Sequence, residues 1–196
     1  MTPSKLAFLP LFALLSFVLP SVAGEEAVLD FEGGSLAGIG AVYQEPGGRE
    51  QYQPAAKWST PFHFSTVSEN PHAGTQSLLW EFSEPANSTS SLRFPVIKLP
   101  DGATKFTVRF FIRTENIDTG GLLSIGEMAA DGKHLKTDYG VVKVPASSEW
   151  KEVVWQGTLD PEASGVRVTL DFKSVLSPAK VWLDDLSVVP NPDVQP

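Results

Sequence analysis

The 196-residue sequence contains no cysteine and few basic residues. A chain without disulfides must be stabilised by core burial or by a bound metal. There are 15 Lys and Arg residues against 23 Asp and Glu residues, which gives a net charge of −8. This excess of negative charge disfavours nucleic acid and anionic membrane surfaces as partners.

Long apolar runs are absent after residue 23. Before that point, an apolar run at residues 6–19 follows Lys5, and Pro20 ends it. Small residues then lead up to Ala23. This three-part pattern predicts a signal peptide over residues 1–23, cleaved after Ala23. The alternative is a membrane anchor, for which the run is short and broken by proline. We therefore expect a secreted or periplasmic protein with no membrane insertion after cleavage.

Helical periodicity is also absent, and strand patterns dominate. Residues 106–113 and 166–173 alternate apolar and polar side chains, as a strand with one buried face does. The 16 glycines and 16 prolines fall largely between such segments, where they mark turns. The pattern predicts an all-β fold, a single jelly-roll β-sandwich over residues 24–189, followed by an unstructured tail at 190–196.

Two acidic clusters stand near the ends of the predicted domain. Asp184 and Asp185 interrupt an apolar strand, and alternation would point one of them towards the core, where a bare carboxylate is costly. Asp30 and Glu32 lie at the first strand. If the first and last strands are neighbours, these carboxylates repel unless a cation lies between them, and such oxygen ligands suit Ca²⁺. The alternative is two solvated acidic turns.

Three stretches carry a resemblance to a known family: DFEGG at residues 30–34, NPHAGTQSL at 70–78 and VWLDDLSVV at 181–189. Together they resemble the jelly-roll carbohydrate-binding modules of the family 4/9 type, which have a galactose-binding-like sandwich. The resemblance implies a structural calcium that joins the two ends of the domain. Its implied ligands are Glu32, the carbonyls of Gly74 and Thr75, and Asp184 or Asp185, with Asp184 favoured and Asp30 as an additional candidate.

A sugar site needs an aromatic platform and polar groups that bind hydroxyls. We expect the polar faces of the strands to form one surface that grips a glycan, especially one with a carboxylate or sulfate; its candidate residues are Glu81, Arg109, Arg113, Gln156, Arg167 and Asp171. The alternative is cross-strand salt pairing on a solvated sheet. Trp58 and Tyr52, in a proline-rich segment, are expected at the rim, with Tyr43 and Tyr139 as further candidates. That segment could instead fold over the sandwich edge.

Catalytic motifs are not recognisable in the sequence. A glycosidase needs two carboxylates across a cleft, and Glu81 and Asp171 could meet if they share a sheet face. We therefore predict an exported non-catalytic protein that binds a polysaccharide or other glycan. The alternative is a structural or adhesive sandwich that binds a protein or cell-surface partner, and a glycoside hydrolase comes third.

Overall fold

The computed structural model describes residues 27–44, 49–55, 62–84, 89–173, 175 and 178–191. Within these ranges the chain forms strands and turns without any helix, so no helix there is able to cross a membrane. The strands are β1 Ala27–Leu29, β2 Gly40–Gln44, β3 Glu50–Pro54, β4 Phe62–Val67, β5 Ser77–Phe82, β6 Ser90–Lys98, β7 Lys105–Glu115, β8 Gly121–Met128, β9 His134–Val144, β10 Lys151–Thr158, β11 Gly165–Phe172 and β12 Ala179–Asn191.

The strands form two antiparallel sheets that pack face to face. Sheet A has the order β10-β7-β12-β5-β4, and β1 pairs with β12 beside this path. Sheet B has the order β3-β2-β6-β11-β8-β9. The predicted all-β sandwich of jelly-roll type is confirmed.

The core lies between the sheets and follows the predicted alternation. Phe110 of β7 in sheet A and Leu170 of β11 in sheet B are buried, as are the other apolar residues in phase with them. Trp80 is fully buried and stacks on Phe64 with ring centroids 5.8 Å apart. Complete burial of each large apolar side chain contributes about 2 to 3 kcal/mol before entropy is counted. Trp155, on the edge strand β10, is only half-buried.

Both ends of the predicted domain differ from expectation. β12 continues through Pro190 to Asn191, which pairs with Lys105 of β7, so the strand enters the segment predicted as an unstructured tail. β1 ends at Leu29, and Asp30 and Glu32 lie in the turn after it rather than in the strand. The strand ends there because Phe31 takes a positive φ of 62° and turns its ring into the core.

Candidate functional site

A groove crosses the outer face of sheet B, which points away from the core. It consists of two adjoining hollows of about 340 and 430 Å³. Both hollows are lined by Val42, Glu50, Ser91, Ser124, Tyr139 and Asp171. Because these residues are shared, we treat the two hollows as one continuous feature, called here the sheet B groove. They come from β2, β3, β6, β8, β9 and β11, so the groove spans the whole sheet.

Asp171 lies in the groove with its carboxylate held by two serines. Ser91 Oγ donates to Oδ1 at 2.5 Å, and Ser124 Oγ donates to Oδ2 at 2.6 Å. The backbone N–H of Gly140 donates in turn to Ser124 Oγ at 3.2 Å. An ionised carboxylate offers about four lone-pair positions, so roughly two remain for further donors. The arrangement gives the groove a fixed acceptor for hydroxyl groups.

Tyrosines stand on the two edge strands of sheet B. Tyr139 on β9 is 82% exposed and lines the groove. Tyr52 on β3 is 51% exposed, and its ring lies against Gly40, where an added Cβ would come within 2.7 Å of the ring and its hydroxyl. Tyrosine combines an apolar ring with a polar tip, which suits contact with a sugar ring. Trp58, the other expected rim aromatic, lies outside the described residues.

The single polar surface predicted from the sequence does not exist, because its residues belong to different sheets. Arg167 and Asp171 lie on β11 in sheet B, whereas the rest lie in sheet A: Glu81 on β5, Arg109 and Arg113 on β7, and Gln156 on β10. The outer faces of the two sheets point in opposite directions, so Glu81 and Asp171 cannot flank one glycosidic bond. Strand alternation assigns a face but not a sheet, which is why the prediction was wrong on this point.

On sheet A, Arg109 and Glu81 pair with charged residues on neighbouring strands, as the alternative interpretation predicted. Arg109 Nε lies 3.1 Å from Glu152 Oε1. His63 Nδ1 lies 2.9 Å from Glu81 Oε2, and Lys180 Nζ lies 3.4 Å from Glu81 Oε1. Exposed pairs of this kind contribute little to stability. These pairs do, however, engage the charged groups with which a ligand on sheet A would interact.

Asp184 is 1% exposed, although it does not point into the core. Its pairing partner in β7 is Phe111, on the outer face of sheet A, and a bulge follows between Asp184 and Ser187. Residues 70–76 cover it from outside. Its Oδ2 accepts the N–H groups of His72 at 2.9 Å and Ala73 at 3.2 Å, and its Oδ1 accepts the N–H of Asp185 at 2.9 Å. Burial raises the pKa of the Asp184 carboxyl, and the Ala73 N–H opposes this shift.

Asp185 lies in the bulge with a positive φ of 50°. Its Oδ2 is 2.9 Å from His72 Nδ1, and the imidazole ring stacks on Phe111 with centroids 3.4 Å apart. Trp150 Nε1 donates to the carbonyl of Asn70 at 3.1 Å. The acidic pair therefore has protein partners: both carboxylates hold residues 70–76 against sheet A.

Arg113, predicted as a ligand-binding residue, also holds this segment. Its Nη2 donates to the carbonyl of Glu69 at 3.4 Å. Its guanidinium carbon lies 4.0 Å from the ring centroid of Trp182 and 5.7 Å from that of Trp150. These cation–π contacts give Arg113 a structural role on sheet A.

Glu32 binds the same segment from the other end of the domain. Its Oε1 accepts the N–H groups of Thr75 at 2.7 Å and Gln76 at 3.0 Å, and its Oε2 accepts the Thr75 hydroxyl at 2.5 Å. These bonds, the hydroxyl first, lower the pKa of Glu32. Gly74 has a φ of +57°, and a Cβ there would lie 2.2 Å from Glu32 Oε1, so glycine permits this close approach.

Two of the carboxylates predicted as calcium ligands thus bind the same segment, Asp184 at residues 72 and 73 and Glu32 at residues 75 and 76. Glu32 and Asp184 already accept three hydrogen bonds each from N–H and O–H donors. Asp30 Oδ1 accepts the N–H of Glu32 within its own turn. In the described ranges, no three His, Asp or Glu side chains converge closely enough to hold a metal. The carboxylates are hard oxygen donors of the type calcium takes, with about one lone-pair position left on each, so calcium stays a prediction.

Sequence reasoning missed several residues of the sheet B groove. Ser91 and Arg93 lie on the outer face of β6, and Ser124 lies on the outer face of β8. Alternation within these strands could have assigned them to an outer face. Only the strand order shows that they lie beside Asp171.

No protein-family model matches the sequence, and no curated protein matches it. Solved structures do match the fold. The CBM22-1 xylan-binding domain of Paenibacillus barcinonensis Xyn10C is 14% identical, with a TM-score of 0.54 over 85% of this chain and 95% of that chain. The module TmCBM61, solved with β-1,4-galactotriose, is 16% identical, with a TM-score of 0.52 over 83% of this chain and 94% of that one.

A larger protein also contains this fold. Tailspike protein 4 of bacteriophage CBA120, solved as its enzymatically active domain, is 12% identical, with a TM-score of 0.58 over 82% of this chain. The chain spans only 20% of that tailspike chain. At these identities the matches establish architecture. The resemblance predicted from the three sequence stretches is confirmed at that level: the chain has the β-sandwich fold of carbohydrate-binding modules.

Proposed function

We propose that this chain is an exported, non-catalytic protein that binds a polysaccharide in the sheet B groove. The observation that carries the proposal is the combination, in one groove, of the 82% exposed Tyr139 and the serine-held carboxylate of Asp171. The two similar modules, described as a xylan-binding domain and as a galactotriose complex, support it through their fold. The pattern of residues 1–23 supports export.

Each part of the groove has a task in this proposal. The tyrosine ring stacks on the C–H face of a sugar, which removes apolar surface from water. Asp171 accepts hydrogen bonds from sugar hydroxyls, and Ser91 and Ser124 keep its carboxylate in one orientation. A preformed acceptor loses little entropy on binding, so the rigid network favours affinity.

Replacing Tyr139 with alanine tests the proposal. Loss of an aromatic contact of about 1 kcal/mol should weaken polysaccharide binding roughly fivefold. Affinity electrophoresis and isothermal titration calorimetry against soluble xylan and β-1,4-galactan measure this change. The matched control is Val154→Ala, which removes an exposed apolar side chain from sheet A.

We expect the control variant to bind like the wild type. Equal affinity of Tyr139→Ala and wild type would remove the groove from the proposal. Failure of the wild-type protein to bind any polysaccharide would overturn the function itself and favour the adhesive or structural scaffold.

We propose further that calcium binds at residues 72–76 through Glu32 and Asp184. A ligand that binds only the folded state raises the melting temperature, and stabilises by about 2.7 kcal/mol when its free concentration is one hundred times Kd. We therefore expect thermal unfolding at a higher temperature in millimolar CaCl₂ than in EDTA. Glu32→Gln should reduce this difference, whereas Asp101→Asn, at an exposed turn, should leave it intact. Equal melting temperatures with and without calcium would mean that the N–H donors alone satisfy the carboxylates.

A further inference from the structure

The sheet B groove has two arginines at one end. Arg93 on β6 and Arg167 on β11 line one hollow, Lys173 lines the other, and Glu50 and Asp171 line both. In the pairing of β6 with β11, Arg93 lies opposite Thr169 and Val96 lies opposite Arg167. A bulge lies between these two pairs. The two arginines are therefore diagonal neighbours on the same face. Asp171, opposite Ser91, lies two outward positions beyond Arg167 along β11.

Among the residues that the structure describes, none supplies a counter-charge to either arginine. Across the described ranges, the guanidinium groups of Arg93 and Arg167 make no ion pair and no hydrogen bond, although both side chains are half-buried. Other basic residues on the sheets do find acids: Arg109 with Glu152, Lys136 with Glu127 and Asp138, and Lys180 with Glu81. Acids outnumber bases in the sequence by 23 to 15, so a shortage of acids does not explain this.

The surroundings of the pair leave room for a ligand. Arg167 lies opposite Gly126 of β8. A Cβ at this position would lie 3.8 Å from the Arg167 Cβ, and because glycine has no side chain, it leaves the outer face beside Arg167 open. Both arginines border the hollow of about 430 Å³. Two neighbouring cations on one sheet face repel each other, and half-burial makes this costlier. An anion placed in the hollow would remove that cost.

We propose that the arginine end of the groove binds an anionic group carried on a glycan, either the carboxylate of a uronic acid or a sulfate ester. This inference rests on the proposed function and adds the class of glycan. Arginine presents a planar fork that matches both groups through paired hydrogen bonds. Asp171 and Glu50 repel an anion, so the acidic sugar lies against the two arginines and away from these carboxylates, while neutral sugars extend past Asp171 and Tyr139.

The test compares each acidic polysaccharide with a neutral form of the same backbone. Polygalacturonic acid and glucuronoxylan are measured by calorimetry before and after chemical reduction of their carboxyl groups, and dextran sulfate is measured against dextran. At low salt we expect at least one acidic form to bind about tenfold more tightly than its neutral counterpart, and high salt to shrink the difference.

Arg93→Gln and Arg167→Gln should each remove most of this preference, because each lowers affinity for the acidic form far more than affinity for the neutral form. Arg109→Gln, on sheet A, is the matched control and should keep the preference. Circular dichroism verifies folding, and Arg93→Lys and Arg167→Lys replace any glutamine variant that does not fold. Those variants keep the charge without the fork, so we expect a partial preference.

The outcomes separate this inference from the proposed function. Equal binding of acidic and neutral forms, or a preference that survives both glutamine variants, overturns the inference and leaves glycan binding in place. Absence of binding to every polysaccharide overturns both. A preference confined to the carboxylated or to the sulfated polymers supports the inference and identifies the anion.

Discussion

Replacing Asp184 with alanine is expected to lower the free energy of unfolding by about 3 to 5 kcal/mol. The substitution removes the acceptor for three N–H groups, those of His72, Ala73 and Asp185, in a place where Asp184 is 1% exposed. A buried donor without an acceptor costs about 1 to 3 kcal/mol. Urea denaturation followed by tryptophan fluorescence measures the loss, and a change below about 1 kcal/mol would contradict the account.

Asp184→Asn is the matched control. It keeps the size and one acceptor oxygen, so the loss should be smaller than for alanine. Burial raises the pKa of the Asp184 carboxyl in the folded state. The folded state then binds this proton more tightly than the unfolded state, so the carboxyl favours folding more as the pH falls through its folded pKa. Wild type should therefore gain stability relative to Asp184→Asn on acidification. The lowered pKa of Glu32 is common to both proteins, so the comparison reports on Asp184.

Replacing Asp171 with alanine is expected to weaken polysaccharide binding about 30-fold, because a hydrogen bond to a charged group contributes about 1.5 to 3 kcal/mol. Ser91 and Ser124 lose their shared acceptor but can turn their hydroxyls towards water, so stability should change by no more than about 1 kcal/mol. Calorimetry with a polysaccharide that the wild type binds measures the effect.

The matched control for Asp171→Ala is Glu152→Ala, which removes an exposed carboxylate from sheet A and breaks its pair with Arg109. Its binding should equal that of the wild type. If Asp171→Ala binds as tightly as this control, Asp171 has no contact with the sugar.

Strand alternation predicted the core well and the binding face poorly, and β7 and β11 show why. Both strands alternate with period two, and each correctly assigns one face to the core. The same pattern cannot say that β7 belongs to sheet A and β11 to sheet B, because strand order depends on pairing between distant segments. Arg109 and Arg167 therefore looked alike in the sequence, yet one pairs with Glu152 and the other faces the groove.

The acidic pair shows a second limit. The sequence shows that two carboxylates interrupt an apolar strand, and the partner expected for them from alternation and from the resemblance was a cation. The structure supplies backbone N–H donors from residues 72 and 73, more than a hundred positions earlier in the chain. Two local features could not be predicted from strand alternation. One is the bulge after Asp184, and the other is the positive φ of Asp185, a conformation that aspartate tolerates better than most residues.

The place of β12 in sheet A has a consequence for the order in which the chain folds. This last strand pairs with β7 on one side and with β5 and β1 on the other. Its pairings join segments far apart in the sequence, and closing such long loops slows folding. Sheet A therefore cannot be completed until β12 is available to pair with β7, β5 and β1. Truncation before Ala179 would remove the centre of that sheet together with the carboxylates that hold residues 70–76.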